Sequence, residues 1–144
     1  MKYNTIYDLE KTLDIRQEPN FYLLTWNPKV YAFEDYEKAV YYDWNTRSKR
    51  MEPQDKFFLI KLGCGKKSGI VGFGEILSFP TLVENTQYID IKFEFLAKDR
   101  TPVIMLEDLK QRYPYQCWTP QSSGISIDRN VALEIYERLI KCKS

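Results

Sequence analysis

Between Gln87 and Leu96 the chain alternates without a break. Ile89, Ile91, Phe93 and Phe95 interleave with Asp90, Lys92 and Glu94. A period of two puts the apolar side chains on one face of a pleated strand and the charges on the other. This segment is therefore a strand with one face in a core and one in water.

The rest of the chain is read around that strand. Phe21 to Thr25 is a short apolar run before Asn27-Pro28, which predicts a buried strand and a turn. Lys56 to Leu62 and Ile70 to Ser78 are two further strands, the second with Gly72 and Gly74 inside it. Gly63 to Gly69 is the loop between them, and Pro53-Gln54-Asp55 is a turn before the first. Helices are expected over residues 5–18, with Leu9 and Leu13 on one face, over Glu34 to Tyr42, over Leu106 to Arg112, and over Asp128 to Lys141. The last carries Val131, Ile135, Tyr136, Leu139 and Ile140 as its apolar stripe, with Ser126 or Asp128 as its cap. Asp43 to Arg50 reads as a polar, basic connection around Trp44, and Pro114 to Gly124 as an irregular loop. Central strands with helices at the edges give an α+β domain, a small curled sheet or barrel. Long helices do not alternate with the strands, which disfavours a parallel α/β layout.

At 144 residues the chain makes one domain, 1–144, large enough to bury a core without disulfides or a structural metal. Lys and Arg number 21 against 20 Asp and Glu, a net charge of +1, so it is neither histone-like nor an acidic disordered chain. No window holds the roughly 18 apolar residues needed to span a bilayer, and Met1-Lys2-Tyr3-Asn4 opens no signal-peptide core. Cys64, Cys117 and Cys142 form no C-x-x-C pair. The expectation is a cytoplasmic protein with no membrane partner, no metal and no cofactor. Histidine is absent, which removes Ser–His and Cys–His nucleophile pairs and most zinc sites. Aromatic residues make up 15%, which favours stacking and cages, hence binding over catalysis.

Three enzymatic patterns invite comparison. Gly65-Lys66-Lys67-Ser68 imitates a phosphate-binding loop, but position 60 is Ile where a glycine is needed, and Lys67 separates Lys66 from Ser68. Gly72-x-Gly74 is followed by Ser78-Phe79-Pro80 and no helix, so it is no dinucleotide fingerprint. A Mg²⁺-dependent nuclease using Asp55, Asp90 and Lys92 remains as an alternative, although the wet face of an alternating strand explains Asp90 and Lys92 equally.

Binding has more to stand on. Thr25-Trp26-Asn27-Pro28, Trp44 to Arg50 and Trp118 to Gly124 each place a tryptophan in a loop or at an element's end, beside amide and hydroxyl groups. A planar ligand could stack on an indole while Asn, Gln, Ser or Thr bonds its edge. The competing role for each tryptophan is the cap of a small core. Lys29, Arg47, Lys49, Arg50, Lys66 and Lys67 lie near the expected turns and would hold phosphates if they converge; a solvated rim explains them otherwise.

These segments, in this order, resemble an EVE-type domain of the PUA-like superfamily, related to YTH domains. The resemblance rests on Phe21 to Pro28, Trp44 to Ser48, Asp55 to Lys61, Gly69 to Ile76, and Trp118-x-Pro120-Gln121-x-Ser123-Gly124-Ile125. It spans roughly residues 21 to 140. Gln54 stands where that family usually has glycine. The last segment is similar to the variant fused to HNH endonucleases and other restriction or defence modules. The resemblance implies a small barrel-like sheet with flanking helices and a non-catalytic reader of a modified base, in DNA rather than RNA and foremost a modified cytosine. By it, Trp44 is a cage wall, Thr25, Trp26 and Asn27 line the floor and edge, and Ser48 approaches from the other side with Trp118, Gln121 and Ser123. This chain has no room for a nuclease, so the effector would be a separate protein. The alternative within binding is a PUA-like module for RNA or a small aromatic ligand.

Overall fold

The computed structural model describes residues 18–30 and 40–143. The helix expected over residues 5–18 lies outside them, as does most of that over Glu34 to Tyr42. The last three residues of the latter, Val40 to Tyr42, belong to a strand instead.

Among the described residues eight strands form one mixed sheet. They are β1 (Phe21–Trp26), β2 (Val40–Thr46), β3 (Lys56–Lys61), β4 (Gly69–Ile76), β5 (Thr81–Val83), β6 (Thr86–Leu96), β7 (Ile104–Met105) and β8 (Ile125–Ile127). Helix α1 (Leu106–Arg112) follows β7, and α2 (Arg129–Lys143) follows β8. The order across the sheet is β2-β6-β4-β3-β1-β8, with β5 added to β6 and β7 to β4. Among the described residues the sheet is not closed into a barrel, so of the two expected forms the structure agrees with the curled sheet.

Among the described residues one pairing is parallel, β1 with β3, where Phe21 faces Lys56 and Trp26 faces Lys61. Strands buried on both faces read as continuous apolar runs, and these two do. Tyr22, Leu24, Trp26, Phe57 and Leu59 enter one core, together with Ile89, Ile91 and Phe93 from the alternating strand β6. Phe21, Leu23, Phe58 and Ile60 enter a second core, against Leu109 of α1 and Ala132, Ile135 and Leu139 of α2. The wet face of β6 is used as well: Glu94 holds the Lys56 ammonium at 2.8 Å, with Glu75 at 3.7 Å. Burial pulls the Lys56 pKa down, but Glu94 and Glu75 more than offset it and hold it above the ordinary lysine value.

Glycine is required where backbone crowds the strand. A Cβ on Gly74 would stand 2.0 Å from the Lys92 carbonyl oxygen, at the point where the β4–β6 register shifts. Helix α2 is capped by Asp128, whose Oδ2 accepts the amides of Asn130 at 3.1 Å and Val131 at 3.3 Å.

The two helices are tied by charge. Asp108 of α1 accepts from Arg138 of α2 and pairs with Arg112 one turn on at 2.8 Å. The Arg138 hydrogen bond, more than the accompanying charges, holds the Asp108 carboxyl below its ordinary range. A depressed carboxylate pKa stabilises the fold above the unfolded value and ceases to do so as pH falls through the folded value. Asp108→Asn is therefore expected to lower Tm at neutral pH and to leave it nearly unchanged well below the carboxylate range. Thermal melts at both pH values check this; an equal Tm loss at both would contradict it.

Candidate functional site

The strand β2 corrects the sequence-based expectation for Trp44. It is not in a polar connection but in the strand, with its ring 7% exposed. Trp44 meets Tyr41 edge-on at 6.1 Å and Phe93 at 6.3 Å between ring centroids. A β-bulge between Tyr41 and Trp44 breaks the alternation just before it, which is why no period of two announces the strand. The other two tryptophans are buried too, Trp26 at 6% and Trp118 at 2%.

Beside Trp44 lies an open cavity of about 1000 Å³. Trp26, Thr25 and Asn27 come to it from the end of β1, Trp44, Thr46 and Tyr42 from β2, and Gln121 and Ser123 from the loop before β8. Arg47 and Lys49 complete one wall. Thus six of the eight expected ligand-binding residues and two of the six expected phosphate contacts line one space. Residues not anticipated also line it. Tyr42, 71% exposed, is the aromatic ring with most surface to offer, and Leu82, Thr86 and Gln87 arrive from the β5–β6 hairpin.

The loop wall is held by hydrogen bonds that extend the β1–β8 ladder. The Thr25 amide donates to Ser123 Oγ at 3.1 Å, the Gly124 amide to the Leu23 carbonyl at 2.9 Å, and the Arg47 amide to the Ser123 carbonyl at 2.9 Å. Gly124 has φ +97°, and a Cβ there would fall 2.1 Å from Thr46 Oγ1, so only glycine lets the loop sit this close to β2. Asn27 Oδ1 accepts the Lys29 amide at 2.9 Å, which leaves its two amide donors and the oxygen's second lone pair for a ligand.

Four expected contacts stand elsewhere, and two more border only a neighbouring space. Trp118 packs against Tyr113 at 6.2 Å in the helix-side core, and its indole N–H donates to the Tyr113 carbonyl at 3.1 Å. Lys66 and Lys67 lie exposed in the loop between β3 and β4, and Lys29 is exposed on the turn after β1. Ser48 and Arg50 line a second cavity of about 970 Å³, where the Arg50 amide donates to Ser48 Oγ at 3.2 Å. Arg47, Lys49 and Ser123 border both cavities and form the partition between them.

Of the nuclease candidates, Asp55 already has a structural task. Its two carboxylate oxygens accept the amides of Asn20 at 3.1 Å and Glu52 at 3.0 Å, fixing the turn before β3. Burial raises its pKa, against those hydrogen bonds. Lys92 is exposed and lies opposite Glu75 in the β4–β6 register, and the Asp90 amide donates to Ser78 Oγ at 2.9 Å. Among the described residues no three His, Cys, Asp or Glu side chains gather as metal ligands, and no helix is long and apolar enough to cross a membrane.

The class so defined is an α+β fold, with a curled mixed sheet and, among the described residues, two flanking helices. Neither a protein-family model nor a curated protein sequence matches the chain. Solved structures share the fold. A hypothetical protein from Leishmania major superposes with a TM-score of 0.70 at 14% identity, over 89% of this chain and 99% of its own. A protein from Pseudomonas syringae does so with a TM-score of 0.58 at 20% identity, over 82% of this chain and 99% of its own.

Proposed function

We propose that the chain is a non-catalytic nucleic-acid-binding module that holds a modified base, foremost a modified cytosine in DNA, in the cavity between β1, β2 and the loop before β8. It would act with a separate effector protein, and the EVE-type resemblance points the same way. The observation that carries the proposal is the convergence of Thr25, Trp26, Asn27, Trp44, Gln121 and Ser123 on one space, with Arg47 and Lys49 on its wall. Aromatic surface takes the face of a base, amide and hydroxyl groups take its edge, and guanidinium and ammonium groups take the phosphates beside it.

The magnitudes set what must recognise what. Stacking on an aromatic ring supplies ~1–3 kcal/mol per base. Turning a paired base out of a duplex costs about a few kcal/mol. A single added methyl is worth only ~1 kcal/mol. Selectivity therefore has to come from polar groups at the base edge and affinity from phosphates.

Binding to an oligonucleotide should fall log-linearly with salt, and free nucleosides should bind weakly. Arg47→Ala together with Lys49→Ala should flatten that salt slope by about one unit for each phosphate no longer neutralised. Fluorescence-anisotropy titrations across a salt series check this. An affinity that ignores salt, or a slope unchanged in the variant, would count against the proposal.

A further inference from the structure

The apolar segment Phe79 to Val83 is the most exposed hydrophobic stretch beside the site. Phe79 is 61% exposed, Leu82 65% and Val83 51%. Large exposed apolar patches rimmed by polar residues mark interaction surfaces. The hairpin that carries them is built to keep its shape. Val83 pairs with Thr86 and Thr81 with Tyr88, and Tyr88 pairs on its other side with Asn45 of β2. The two-residue turn has φ 51° at Glu84 and 72° at Asn85, the left-handed pair that a tight hairpin of the primed type needs. The tip therefore projects from a strand anchored deep in the sheet.

Its position relative to the basic wall decides what it meets. Leu82 lines the cavity of Trp26 and Trp44, and Phe79 lines the neighbouring cavity. Arg47 and Lys49 border both of these cavities. Apolar segment and cationic partition thus flank the same two spaces. A partner seated there must be anionic along one line and offer apolar faces beside it. A duplex nucleic acid does both, with phosphates outside and stacked bases within.

We propose that the β5–β6 hairpin, with Val83 just before its Glu84-Asn85 turn and Phe79 leading into it, is a wedge that enters the base stack of a duplex next to the base drawn into the cavity. The wedge rests on the base-reading proposal and adds to it the form of the partner, a double strand opened by this protein. Apolar side chains inserted between base steps unstack them at a cost of about a few kcal/mol per step, which contacts to the deformed backbone offset. A base already single-stranded needs no such help.

The test compares wild type with Phe79→Ser/Val83→Ser, which leaves Leu82 in place. Oligonucleotides carry cytosine, methylcytosine, hydroxymethylcytosine or methyladenine, each as single strand and as duplex, with 2-aminopurine next to the target as the unstacking reporter. The variant is expected to bind the preferred single strand within about twofold of wild type and to lose about tenfold or more on its duplex. The 2-aminopurine signal that wild type produces on the duplex should also vanish. Single Val83→Ser gives the same comparison should the pair melt early. Equal loss on both forms, no loss on either, or a wild type that binds single strands alone would overturn the wedge and leave the reader standing. A wild type that binds no member in either form would overturn both.

Discussion

Trp44→Ala is expected to damage stability and binding together. The side chain is 7% exposed, sits edge-on to Tyr41 and Phe93, and also lines the cavity. Deleting a buried tryptophan leaves a void that the surrounding core fills only in part, at a cost of about 3–5 kcal/mol. Urea denaturation measures that loss. Trp44→Phe separates the two roles, because a smaller ring keeps part of the packing and less of the stacking surface. The expected pattern is a modest stability loss with a disproportionate loss of oligonucleotide binding. Binding retained in the phenylalanine variant at wild-type strength would remove Trp44 from the site.

The second large effect falls on Trp118, and here binding should survive. Its ring is 2% exposed, packs on Tyr113, and satisfies its N–H on the Tyr113 carbonyl at 3.1 Å. Trp118→Ala should cost about 3–5 kcal/mol as well, from the void alone, because the Tyr113 carbonyl keeps the Gln116 amide as a partner at 3.2 Å. Because Trp118 belongs to the helix-side core, the folded variant should bind as wild type does at a temperature well below its melt. Lost binding in a variant that melts like wild type would return Trp118 to the ligand.

The two tryptophans show where sequence is informative and where it is not. The strand β6 was legible because its alternation is local: Ile89, Ile91 and Phe93 are buried, while Lys92 and Glu94 are exposed. Helix α1 was legible to its ends, Leu106–Arg112, because apolar spacing and charge placement are local too. In α2 the expected stripe is only partly the buried one. Ala132, Ile135 and Leu139 carry the contact while Ile140 is 44% exposed, a rotation too fine for periodicity over about four turns to resolve. Trp44 misled because Asp43, Asn45 and Arg47 surround it in sequence, and the bulge between Tyr41 and Trp44 hides the strand period that Trp44 and Thr46 still obey. Trp118 misled because it joins the core that includes Ala132, Ile135 and Leu139, which the residues beside it in sequence do not reveal.

The cavity divides the same way. Thr25, Trp26 and Asn27 could be picked out because an indole between a hydroxyl and an amide, at the end of an apolar strand, is a local pattern. Tyr42, Leu82, Thr86 and Gln87 could not, since their place depends on Leu82 pairing with Gln87 and Gln87 with Thr46. A two-residue turn without glycine, Glu84-Asn85, gives little local sign of that hairpin.

Base reading in the Trp26–Trp44 cavity is tested most directly by a titration followed by intrinsic tryptophan fluorescence, with and without Mg²⁺. The oligonucleotides would carry cytosine, methylcytosine, hydroxymethylcytosine or methyladenine, in single and double strands. Trp26 and Trp44 line the cavity and Trp118 lies in the other core, so the Trp118→Phe protein removes the emission that should not respond. One modified oligonucleotide is expected to quench selectively, at the same strength with or without Mg²⁺. A folded protein quenched by none of them, or one that cleaves them only with Mg²⁺, would contradict a non-catalytic reader.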